Sequence, residues 1–225
     1  MRVPWMSKEK INNKALALLS DYQKIQGHNV GPPIPVESII EQHLNVKIGF
    51  VDFENELGMK GVLGATYVQD RMICINEKLL DDRSEGRLNF TWAHEAGHWM
   101  LHRHLVKPIP NQESINKIIF CRSINAGLPI EWQADYFASC ILMPEEDVRS
   151  AFNETFGPVP LKLLNIKSCY KGPLCFDPCI ENWPLIADAI RAAGNFNNVS
   201  KQAMITRLQY LGLLINRTGV RLTWN

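Results

Sequence analysis

The segment NFTWAHEAGHWMLHRH, Asn89 to His104, constrains the fold more than any other stretch of the chain. Its spacing is helical, and Phe90, Trp92, Ala93, Ala96, Trp99 and Leu101 leave it little face to expose. Two histidines and a glutamate nevertheless stand in the middle of it, as HEAGH (His94 to His98). Each helical residue advances by about 100°, so positions i and i+4 lie on one side. The rings of His94 and His98 can therefore reach a single metal ion. Glu95, one step round, sits beside an open coordination position without being a ligand, where a base takes a proton from activated water. The bland alternative, a solvated helix face that happens to carry two histidines, fits poorly with so apolar a setting.

A catalytic zinc site needs a third protein ligand, and two residues compete for the role. His104 has the spacing of H-E-x-x-H-x-x-G-x-x-H, but Leu101 occupies the place where that pattern needs a glycine turn. On an unbroken helix His104 would lie roughly 15 Å along the axis from His94. Glu131 opens EWQADYFASCILMP, a helix expected from near Pro129 to Met143. Ala134, Phe137, Ala138, Ile141 and Leu142 form its apolar stripe, and Pro144 closes it. Glu131 and Asp135 flank that stripe, so packing against the HEAGH helix would aim both at the metal. In an E-x-x-x-D pair of this gluzincin kind, the Glu ligates and the Asp fixes a ligand His through its outer N–H.

The expected ligands are thus His94, His98 and Glu131, with Glu95 as catalytic base and Asp135 behind a ligand. A further donor should stabilise the oxyanion, and His102 and Tyr136 are the candidates. His102 can equally be a structural histidine at the helix end, its cation meeting the helix dipole.

The remaining pattern places the chain in the α+β class. Ile11, Ala15, Leu18, Leu19, Tyr22 and Ile25 predict a helix from Ser7 to about Gln26, ended by Gly27. GPPIP (Gly31 to Pro35) is a rigid connector into a short helix carrying Val36, Ile39 and Ile40. Val46, Ile48 and Phe50 alternate as in a strand with one buried face. The runs Val62 to Val68 and Met72 to Ile75 predict an antiparallel hairpin. Residues 107–128 carry little periodicity, and no element is assigned there.

No apolar run approaches the ~18 residues of a membrane span, and no signal-peptide run follows the N-terminus, so a cytoplasmic protein without membrane contact is expected. Its six cysteines are then expected as thiols. Cys169, Cys175 and Cys179 lie close together but match no standard zinc spacing.

FGPVPL (Phe156 to Leu161) is the best boundary, dividing a metallopeptidase domain, 1–155, from a helical module, 156–225. The first part has 16 basic and 20 acidic residues, the second 8 and 3. Pro184 to Ala193, a turn at Gly194 to Val199 and a helix capped by Ser200 outline a helix-turn-helix. DNA contact through Lys201, Gln202 and Thr206 is one reading. With so few basic residues on that helix, packing on the peptidase or gripping the substrate is preferred.

FTWAHEAGHWMLHR followed by EWQADYFASCILMP resembles the ImmA/IrrE family of metallopeptidases. PIPVESIIEQHLNVKI, the strand pair before RLNFTWAHE, and VSKQAMITRLQYLGLL fit the same family, so the resemblance covers most of the chain. It implies a zincin-like, gluzincin-type peptidase that uses zinc to cleave helix-turn-helix repressors, relieving repression of mobile-element, phage or stress genes. The family's metal positions carry over to His94, His98 and Glu131, with Glu95 catalytic. One departure is Gln133, where many relatives have Glu. The rival expectation is a DNA-binding regulator with a structural or vestigial metal site. Glu95 speaks against it, because a structural zinc needs no base beside its ligands.

Overall fold

Ser7 starts the first helix by accepting a hydrogen bond from Lys10 N at 3.2 Å, and Gly27 ends it in the left-handed region at φ 73°. This helix, α1 (Lys8–Gln26), buries Ile11, Ala15, Leu18, Leu19 and Tyr22. Ile25, expected on the same face, is 68% exposed in the last turn.

The structure is a computed structural model that describes residues 3–80, 85–106, 118–122, 128–164 and 179–222. Cys169 and Cys175 lie outside the described residues; Cys179 is buried. The chain divides into two compact units, residues 1–30 with 34–142 and residues 31–33 with 143–225.

In the first unit α1 is followed by α2 (Val36–Ser38), which runs on into a wider turn over Ile39–His43. Next come β1 (Lys47–Val51), β2 (Val62–Tyr67), β3 (Met72–Asn76), α3 (Glu85–His102), β4 (Ile118–Arg122) and α4 (Pro129–Leu142). The strands make a mixed sheet in the order β1-β3-β2-β4. β2 and β3 form the expected antiparallel hairpin, and β1 runs parallel to β3. β4 pairs antiparallel with β2 in a stretch left unassigned from sequence. Ile118 to Arg122 reads IIFCR, with no alternation of apolar and polar residues, so the partner strand, not the local pattern, defines β4.

β1 also departs from the clean alternation expected of it. Phe50 is 42% exposed, although its ring meets that of Trp92 edge-on at 5.6 Å. Among the described residues β1 is an edge strand, with a neighbour on one side only.

α3 is buried without a break from Thr91 to Trp99. A helix buried all round must find partners for its polar side chains, because each unpaired one costs stability. Its contact with α4 is close: a Cβ on Gly97 would lie 3.2 Å from the Ala134 backbone and from Phe137. Gly97→Ala is expected to force the two helices apart and lower stability by about 1–3 kcal/mol, despite alanine's better helix propensity. Urea unfolding measures this, and an unchanged or raised midpoint would refute the close-packing account.

The second unit contains α5 (Glu145–Phe156), β5 (Leu161–Leu163), α6 (Trp183–Ala193), α7 (Lys201–Tyr210) and β6 (Leu214–Asn216). β5 and β6 pair in parallel. Ser200 caps α7 by accepting from Ala203 N at 3.1 Å, as its sequence position predicts. Lys201 Nζ lies 2.5 Å from Asp188 Oδ2, and Gln202 Nε2 donates to Leu222 O at 2.9 Å. Thr206 donates to the Gln202 carbonyl at 2.8 Å. The three side chains considered for DNA contact thus engage within the unit itself. Among the described residues no helix is long and apolar enough to cross a membrane.

Candidate metal centre

α3 and α4 bring the predicted ligands together. The His94 and His98 Nε2 atoms lie 2.9 Å apart, as i,i+4 rings on one helix face should. Glu131, in the first turn of α4 where the helix dipole favours a carboxylate, places Oε2 3.2 Å from His94 Nε2 and Oε1 3.7 Å from His98 Nε2. All three residues are buried. A tetrahedral zinc with bonds of about 2.0–2.1 Å holds its ligand atoms roughly 3.3 Å apart. The observed separations bracket that value, so shifts of about 0.4 Å would fit the donor set to such an ion.

The protonation states suit the same purpose. Burial pushes His98 down to about 4, against the pull of Glu131, so the ring is neutral and keeps a lone pair. Burial works against ionising Glu131, but the adjoining rings of His94 and His98 outweigh it, holding the carboxyl down at about 2. Neutral imidazoles and an ionised carboxylate are the forms that bind metal.

Behind these three side chains lies a second layer of polar contacts. Asp135 Oδ1 accepts from His94 Nδ1 at 2.8 Å, the partnership expected from the E-x-x-x-D spacing. His98 Nδ1 lies 3.0 Å from His102 Nδ1, and His102 Nε2 lies 3.1 Å from Gln133 Oε1. His102 therefore engages both ring nitrogens. Burial also lowers its pKa, which does not suit the cation imagined for it at the helix end. Tyr136, the other oxyanion candidate, is buried and stacks on Trp132 with 5.7 Å between ring centroids. α3 continues unbroken past Leu101, and His104 is exposed on the turn that follows, outside the ligand group.

Glu95 points toward β2, with Oε2 accepting from Thr66 Oγ1 at 2.6 Å. Oε1 is buried and has no hydrogen-bond partner among the described residues. Burial pushes the carboxyl up to about 7, with the charge of Glu131 adding to it and His94 and Thr66 opposing. The strand must come very close to allow this: a Cβ on Gly64 would lie 2.7 Å from Glu95 Oε1. Gly64 and Thr66 both lie against Glu95, and the sequence reading did not identify either. Their one sequence signal is a glycine inside a strand run, which marks close approach of another group.

A family model described as an IrrE N-terminal-like domain, Peptidase_M78, matches residues 42–161. That range takes in β1 to α5, with His94, Glu95, His98 and Glu131. No curated protein matches the chain.

Proposed function

The chain belongs to the Peptidase_M78 family, whose IrrE N-terminal-like domain it carries, and on that premise we propose that it is a zinc-dependent endopeptidase acting on a helix-turn-helix repressor. The observation that carries the reading is the convergence of His94, His98 and Glu131 around one point, with the Glu95 carboxylate held nearby and one of its oxygens without a partner. Zinc, when bound there, supplies Lewis acidity that acidifies water and polarises a carbonyl. Glu95 accepts the proton of the attacking water and returns it to the departing amine. Thr66 holds the second carboxylate oxygen, which orients the base. Asp135 keeps His94 in the tautomer with its lone pair on Nε2, the atom that would hold the ion.

With both nitrogens of His102 engaged, Tyr136 is the better candidate for the oxyanion donor. Residues 156–225, the helix-turn-helix-like module in this reading, support the peptidase or grip the substrate. The internal pairing of Lys201 and Gln202 offers the DNA-binding alternative no support. A repressor substrate implies action in the cytoplasm.

The test is incubation of the zinc-loaded chain with any helix-turn-helix repressor encoded beside its gene, followed by mass spectrometry. The expected result is cleavage at one peptide bond, stopped by a zinc chelator and restored by added zinc. An intact repressor in the presence of fully loaded protein would sink this substrate assignment.

A further inference from the structure

The hydrogen bonds behind His98 form a chain with a fixed direction, which starts at the N-terminal segment. The Pro4 carbonyl can only accept. Gln133 meets it at 2.9 Å, so the amide nitrogen faces Pro4 and the amide oxygen faces His102. An amide oxygen also only accepts, so His102 Nε2 must carry a hydrogen. A neutral imidazole has one N–H, which leaves His102 Nδ1 with a lone pair. The atom 3.0 Å from that lone pair is His98 Nδ1, which must therefore donate. By the same rule His98 Nε2 keeps its lone pair, and this is the atom 2.9 Å from His94 Nε2 and 3.7 Å from Glu131 Oε1.

We propose that Gln133 and His102 are positioning residues for the metal. Anchored on the Pro4 carbonyl, they hold His98 in the tautomer with hydrogen on Nδ1 and so present Nε2 to the ion. The inference rests on the metal-site reading above. It gives His98 the outer partner that Asp135 gives His94. His98, His102 and Gln133 have no exposed surface, so no solvent is at hand to satisfy a ring in the wrong tautomer. It also accounts for the amide at position 133: a carboxylate could accept from His102 but could not donate to Pro4.

The test uses the full-length protein in two measurements. Two-bond 1H–15N imidazole spectra of the metal-free protein read the tautomers directly, and zinc affinity is read by competition with a chelating dye. In the wild type, His98 is expected with hydrogen on Nδ1 and His102 with hydrogen on Nε2. Gln133→Leu, unable to accept from His102, is expected to lose the single His98 tautomer and weaken zinc binding by about 10–100-fold. His102→Phe should weaken it to a similar degree. Gln133→Glu keeps the acceptor and should retain the His98 tautomer, with affinity within a few-fold of wild type.

Hydrogen on His98 Nε2 in the wild type would overturn the proposal, and so would a Gln133→Leu protein with unchanged tautomer and affinity. If Gln133→Leu does not fold, the wild-type spectrum and Gln133→Glu still decide. A wild type that takes up no zinc while His98 shows hydrogen on Nδ1 would refute the metal reading and leave the relay standing.

Discussion

Glu95→Gln is expected to leave the fold and zinc content intact while slowing hydrolysis of the protein substrate by about 10²–10⁴-fold, the range of a general acid–base group. The side chains are nearly the same size, which matters where Gly64 leaves so little space. Thr66 can donate to the amide oxygen as it does to Glu95 Oε2. The remaining position then becomes an NH2 group, which cannot accept a proton. It replaces the buried oxygen that has no partner among the described residues and that is the proposed proton acceptor. In the metal-free site burial holds the Glu95 carboxyl up at about 7, toward the range in which a general base works best. Single-turnover cleavage and metal analysis on one preparation separate the effects. Full-rate cleavage by the zinc-loaded variant would remove Glu95 from the mechanism.

The second large effect is on the metal itself. The wild type is expected to bind about one zinc per chain, and His98→Ala and Glu131→Ala to lose it, with a deficit beyond the about 10–100-fold of an outer partner. His104→Ala should keep its zinc, because His104 is exposed on the turn after α3 and outside the ligand group. Zinc retained by Glu131→Ala but lost by His104→Ala would reverse the choice of third ligand. Both alanine variants also leave the remaining ligands buried and without their partner, so loss of stability should accompany loss of metal.

The local order of the site was legible in the chain because helical geometry dictates it. HEAGH must set His94 and His98 on one face, E-x-x-x-D must set Glu131 near Asp135, and Leu101 argued against a turn toward His104. What stayed hidden depends on pairing between distant segments. Thr66 reaches Glu95 only because β2 lies against α3, and no period in either segment encodes that register. Gln133 stood out as a departure from related sequences, yet its partners, His102 and Pro4, come from two other parts of the chain. β4 is similar, since its five residues become a strand by joining β2. His102 was misjudged in one respect: a place at the helix end suggested a cation, whereas burial favours the neutral ring.

The spacing of these partners has a consequence for biosynthesis. Glu95 bonds a residue 29 positions before it, and His94 one 41 positions after it. At about 5–20 residues per second, a ribosome delivers Asp135 roughly 2–8 s after His94. Until Glu131 and Asp135 have emerged and α4 has docked, the nascent polypeptide holds two histidines and a base but no complete metal cradle. On the proposed reading, the site that would hold the metal is thus completed only after that stretch of the chain has been made.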